Sequence, residues 1–109
     1  MINISILEEM FDGDKEILRQ LFELYLEEHS TLSDTINEQY KNNKLPELFR
    51  TFHTLYGALS NLCEEDVLPL IKATETNAKN HETPPQHSID SVIAELAKIR
   101  QQMIDYLND

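Results

Sequence analysis

His53 is the side chain in this sequence best placed to do covalent chemistry. It stands in the stretch Leu45 to Cys63, LPELFRTFHTLYGALSNLC, whose apolar residues recur with a helical period. At about 100° per residue, Leu48, Phe52, Leu55, Leu59 and Leu62 share one side, with Leu45 and Cys63 near its edge. His53 falls well outside that stripe, and Arg50, Gly57 and Ser60, at three, four and seven positions, share its face. The spacing therefore predicts an imidazole directed at water. A neutral imidazole is a nucleophile that can take a phosphoryl group from an acyl phosphate and surrender it again, because the N–P bond keeps a high transfer potential. Gly57 points the same way. Inside a helix glycine costs roughly 1 kcal/mol relative to alanine, so the position needs another reason, and a bare patch that lets a second molecule approach the ring is one.

Other chemistries lack their parts. Gly13 and Gly57 stand alone, so there is no glycine-rich phosphate loop. Ser60 lies two helical turns from His53, too far for a nucleophile and base pair without a bend. His29, His53, His81 and His87 include no i, i+4 pair, and Cys63 is the one cysteine, so no metal site is expected. His81 and His87 flank a Pro pair and are read as solvated.

The elements that must position His53 are helices. A chain of 109 residues with 40% hydrophobic and 27% charged side chains suits one soluble globular domain. Only two Gly and four Pro, with Val scarce and Leu, Glu and Ile frequent, favour helix over sheet. Twenty acidic residues against nine basic ones give a net charge of -11, which repels nucleic-acid phosphates and anionic lipid. No apolar run approaches the length of about 20 residues needed to span a bilayer, and the N-terminus lacks a secretory pattern. A single cysteine excludes an internal disulfide and suits a reducing compartment, so a cytoplasmic location is expected. Cys63, near the stripe's edge, is read as a packed thiol.

Along the chain, Ile4, Ile6, Leu7 and Met10 predict a short lid helix over 2–10, ended by Phe11-Asp12-Gly13-Asp14. Asp12 or Asp14 is expected to cap a second helix with a broad apolar face of Ile17, Leu18, Leu21, Phe22, Leu24 and Tyr25. The pattern restarts near His29 with Leu32, Ile36 and Tyr40, capped by Ser30 or Ser33, either continuous with the preceding helix or kinked from it. Asn42-Asn43-Lys44 is a polar turn, and Pro46 suits the first turn of the central helix. Asp66 is expected to cap the next helix, with Pro69 as its third residue and Val67, Leu68, Leu70, Ile71 and Thr74 inward. After a loop over 80–86, Ser88 or Asp90 starts a last helix with a stripe of Ile89, Val92, Ile93, Leu96, Ile99, Met103, Ile104 and Leu107. Short connections imply antiparallel neighbours. The expectation is an all-α, up-and-down four-helix bundle with one or two accessory N-terminal segments.

The motif His53-Thr54-Leu55-Tyr56-Gly57, followed by Ser60-Asn61-Leu62, resembles the signature of histidine-containing phosphotransfer (HPt) domains, usually written H-x-L-K-G with a small, Asn-containing turn after it. The likeness takes in Ile6–Met10, Gly13-Asp14 and Ile17–Glu28 and runs from about residue 6 to 80, with a C-terminal bundle helix expected over about 88–107 of a single domain, 1–109. Two positions depart from it: the family's Lys is Tyr56, and the Gly that commonly closes the helix is Cys63. The resemblance implies that His53 is a phosphoacceptor, taking phosphoryl from the aspartyl phosphate of one response-regulator receiver domain and passing it to another. It implies a phosphocarrier and not a kinase, with no cofactor of its own, Mg²⁺ in the partner receiver, and a hybrid sensor histidine kinase as a possible upstream partner. A monomer is expected. The family Lys neutralises phosphoryl oxygens; Arg50, one turn before His53, is the candidate replacement. Phe49, Tyr56, Gly57 and Ala58 would form the docking ground, with core packing the alternative for Phe49. Two rival readings are a degenerate HPt domain that docks a receiver without carrying phosphate, and an unrelated helical adaptor or dimerisation module.

Overall fold

These periodicities resolve into six helices in the computed structural model, which describes residues 1–109: α1 (Ile4–Met10), α2 (Lys15–Glu28), α3 (Leu32–Lys41), α4 (Leu45–Asn61), α5 (Leu68–Lys79) and α6 (Gln86–Leu107). There is no sheet; one isolated bridge joins Ile2 to Glu64. The all-helical expectation holds. α4 and α5 pack together most extensively, α3 flanks α4, α6 touches α2, α3 and α5, and α1 lies on α2. Twenty buried apolar side chains drawn from all six helices and the flanking segments form one core cluster.

The stripe predicted on α4 is the stripe observed: Leu45, Leu48, Phe52, Leu55, Leu59 and Leu62 are all buried. On α6 the stripe is narrower than expected, with Ile89, Val92, Leu96, Ile99 and Met103 buried and Ile93, Ile104 and Leu107 half-buried. The apolar face of α2 is also narrower, since Leu18, Phe22 and Tyr25 are buried while Ile17 and Leu24 face water. On α1, Leu7 is buried but Ile6 and Met10 are exposed. A helix lying on the outside of a core can bury only one row of side chains.

Asp14 caps α2 as anticipated, its Oδ1 accepting from the Glu16 and Ile17 N–H groups. Three other starts differ. Thr31, not Ser30 or Ser33, precedes α3, and its side chain makes no capping bond; α2 and α3 are separate helices. The start of α5 is capped not by Asp66 but by the buried Glu64, whose carboxylate accepts from the N–H groups of Asp66, Val67 and Leu68. Pro69 is consequently the second helical residue, where a missing N–H still costs nothing. α6 begins at Gln86, earlier than Ser88 or Asp90, immediately after Pro85.

Four helices end on a left-handed residue that is not glycine: Asp12, Asn43, Cys63 and His81, with φ between 52° and 60°. Each is followed by a residue whose N–H reaches back to the third-last carbonyl of its helix, as Glu64 N–H does to Leu59 O at 3.0 Å. At Cys63 the thiol also donates to the Met10 thioether at 3.5 Å, which ties α1 to the end of α4.

Candidate functional site

α4 presents His53 on the face turned away from its leucines and toward the edge of α5. The imidazole is exposed, with 68% of its side-chain surface open, yet it is not free to rotate. Its Nδ1 lies 2.7 Å from Oε1 of Glu75 on α5, a side chain only 5% exposed. An ionised carboxylate can only accept, so Nδ1 carries the proton and donates it, and Nε2 is left with its lone pair outward. The ring is held from a second side by Phe49, one turn earlier, whose ring stacks on it with centroids 5.7 Å apart and planes 28° apart. Phe49 also packs against the core cluster, so it serves as both core packing and a wall of the site.

Glu75 occupies a core-facing position of α5, in line with the buried Ile71 and Ala78. Burying a carboxylate there is costly unless its oxygens find partners. Oε1 has His53. Oε2 has no hydrogen bond, and the nearest charge is the Lys72 ammonium at 3.7 Å. Lys72 Nζ also lies over the ring of the half-buried Tyr56, 5.4 Å from its centre, within the range of a cation–π contact. His53, Glu75, Lys72 and Tyr56 thus form one connected cluster across the α4–α5 contact.

The remaining expected residues fall around it. Gly57 is exposed, and a Cβ built there would meet nothing within 4 Å, so no packing within the chain demands glycine. Ser60 is exposed and its hydroxyl makes no hydrogen bond within the chain. Arg50 is exposed and makes no bond to His53; it lines a separate groove with Glu28, His29, Thr35, Thr51 and Thr54, on the side of α4 facing the α2–α3 junction. The groove has a volume of about 310 Å³. The cation that touches the histidine cluster is therefore Lys72 and not Arg50. Neither Lys72 nor Glu75 was singled out from the sequence, although an acidic residue on the inward stripe of an amphipathic helix, with lysine three positions before it, was a readable signal.

The other histidines have different surroundings. His29 is half-buried against Tyr25, with ring centroids 4.6 Å apart, and burial holds its pKa below the ordinary histidine value despite the opposing pull of Glu28. His81 and His87 are exposed. No group of three or more His, Cys, Asp or Glu side chains is arranged to hold a metal ion, and no helix is long and apolar enough to cross a membrane.

No curated protein and no solved structure shows significant similarity to the chain. The family model of the Hpt domain matches residues 20–105, from within α2 to the last turns of α6. That span contains His53, Glu75, Lys72 and every helix that builds the site, and with so much of its length matched the chain belongs to the Hpt domain family, which points to a phosphotransfer role in two-component signalling.

Proposed function

We propose that this chain is a phosphorelay intermediate in which His53 accepts phosphoryl from the aspartyl phosphate of one receiver domain and passes it to the aspartate of another. The observation that carries the reading is the pairing of an exposed imidazole with a buried carboxylate at 2.7 Å. With the proton fixed on Nδ1, the Nε2 lone pair attacks the phosphorus of the acyl phosphate. The N–P bond forms, the bond between phosphorus and the aspartyl oxygen breaks, and the electron pair leaves on the receiver's carboxylate. The ring becomes a cation as it does so, and the Glu75 carboxylate is already in place as its counter-charge. No proton need enter or leave. The return step is the reverse, on the aspartate of a second receiver.

The chain acts here as substrate and carrier rather than as a kinase. The Mg²⁺ and the remaining catalytic groups belong to the receiver. Response-regulator receivers are its partners, and a hybrid sensor kinase is the upstream source. Docking takes place on the exposed ground of α4 around Phe49, Arg50, Tyr56, Gly57 and Ser60, where the bare Gly57 leaves the approach open. The frame that suits this chemistry is a single domain over 1–109, an up-and-down four-helix bundle in which α2 with α3, α4, α5 and α6 are the staves and α1 is accessory. It works as a monomer in the cytoplasm.

The test is transfer of labelled phosphate from phosphorylated receiver domains to the wild-type chain and to His53→Gln. Acid-labile, base-stable label on the wild type alone is expected. One observation favours a second reading: position 56 holds a tyrosine, which brings no charge to a phosphoryl group. Receiver binding without label on the wild type would establish that reading, a docking domain without chemistry; loss of both would return the chain to the class of helical adaptors.

A further inference from the structure

A phosphoryl group on Nε2 brings about two negative charges to a site that already holds the Glu75 carboxylate, on a chain of net charge -11. Such a site needs a cation. Two are near: Arg50, on the histidine's own helix face, and Lys72, on the neighbouring helix. Arg50 lines the groove beside Thr51 and Thr54 and makes no hydrogen bond or ion pair with the cluster. Lys72 touches it at two points, 3.7 Å from the Glu75 oxygen that lacks a hydrogen bond and 5.4 Å from the centre of the Tyr56 ring. Its side chain is 57% exposed, so the ammonium can reach outward from that resting place without unpacking anything.

We propose that Lys72, reaching across from α5, is the phosphoryl-binding cation of this site. In the unphosphorylated chain it rests between the free oxygen of Glu75 and the face of Tyr56, where it partly offsets a buried negative charge. When phosphoryl arrives on His53, the ammonium turns to donate hydrogen bonds to the phosphoryl oxygens, and Glu75 is left to the imidazolium. The two charges separate into matched pairs, carboxylate with imidazolium and ammonium with phosphoryl. Tyr56 is then a platform for the lysine, not a bystander at a position lacking charge.

This inference rests on the phosphocarrier reading, and the experiment separates the two. Phosphotransfer from one receiver is timed for the wild type, Lys72→Gln, Lys72→Arg, Lys79→Gln and the double variant Tyr56→Lys with Lys72→Gln. All of these positions are at least partly exposed, and thermal melts check that each variant is folded. Lys72→Gln is expected to slow labelling of His53 by about tenfold, the effect of losing one charge-assisted contact in the transition state. Lys72→Arg is expected to keep most of the rate, and Lys79→Gln, which removes an exposed charge from the far end of α5, nearly all of it. The double variant is expected to recover, because a cation grown from position 56 starts beneath the place the Lys72 ammonium occupies. A structural role alone would not be rescued by moving the charge to another helix. Wild-type rates in Lys72→Gln, or no recovery in a folded double variant, overturn the assignment while leaving His53 as the carrier. Absence of label on the wild type removes the carrier reading and this inference with it.

Discussion

Glu64 and Glu75 are both buried acidic side chains at the α4–α5 contact, each only 4% exposed, and their surroundings are opposite. Glu64 is saturated: its two oxygens accept backbone N–H groups from Asp66, Val67 and Leu68, and Oε1 also accepts from the Met1 amino group. Glu75 has one bond, to a side chain that is itself exposed, and one oxygen without a donor. The first arrangement suits a carboxylate that holds a fold together, since every lone pair turned toward the interior is matched by a donor that the helix start would otherwise leave unpaired. The second suits a carboxylate whose partner must change charge during a reaction, because a residue with unused acceptor capacity can take on a stronger partner without giving one up. Buried charge alone does not mark a functional site; incomplete satisfaction, beside an exposed reactive group, does.

The comparison breaks if the two residues can be exchanged in their effects. Glu75→Gln is expected to lower the rate of His53 labelling about 100-fold, because an amide oxygen can accept a hydrogen bond from Nδ1–H but cannot balance an imidazolium, while its unfolding free energy shifts by less than about 1 kcal/mol. Timed phosphotransfer and urea titration measure the two quantities. Glu64→Gln is expected to do the reverse, losing about 2 kcal/mol of stability as charged caps are replaced by weaker ones, and leaving the transfer rate of the folded protein near wild type.

Acid sharpens it further. Burial pushes the Glu64 carboxyl up, but the Met1 amino group and the Val67 and Asp66 N–H groups outweigh it and hold its pKa below the ordinary value. A carboxylate depressed in the folded state contributes stability above its unfolded pKa and loses it as pH falls through the folded one. Melting temperature is therefore expected to fall as pH drops below the normal carboxylate range, and the Glu64→Gln chain to show a shallower fall.

Gly57→Ala tests the functional side by itself. With nothing within 4 Å of the added methyl, the folded chain is expected to gain up to about 1 kcal/mol, while labelling by a receiver slows because the open approach is narrowed. The smallest effect is expected at His81, exposed and left-handed at the end of α5. His81→Gly relieves that backbone and is expected to raise stability by up to about 1 kcal/mol with no change in labelling.

The central helix was readable because its signal is redundant: six leucine and phenylalanine positions repeat one period, so no single residue decides it. The outward histidine followed from the same period. What could not be read was set by contacts across helices. The cap of α5 comes from Glu64, four positions before the first helical residue, because the left-handed turn at Cys63 folds that carboxylate back over the helix start. Ile17 and Leu24 of α2 and Ile6 and Met10 of α1 are exposed because their helices lie on the outside of the core, which periodicity within one helix does not report. Arg50 and Lys72 illustrate the same limit. Spacing along α4 puts Arg50 on the histidine's face, but the partner helix brings Lys72 to the cluster, and only the α4–α5 packing distinguishes the two. Glycine, or sometimes Asn, at a helix end is the usual signpost of a left-handed stop, and at the ends of α4 and α5 Cys63 and His81 take that place, so those two boundaries carried no such mark.

The turn between α4 and α5 is also a gauge of length. Glu64 anchors the start of α5 at Leu68, and Glu75 follows seven residues into that helix, about two turns, which puts it on the side facing His53. One residue inserted or deleted between Leu68 and Glu75 would turn Glu75 by about 100° away from the imidazole while leaving both helices able to form. The polar turns at 42–44 and 80–85 carry no such constraint, since no residue of the cluster is measured from them. In variants of this chain, changes of length are therefore expected to be tolerable at the outer turns, and in 68–75 to leave a protein that folds without pairing Glu75 to His53.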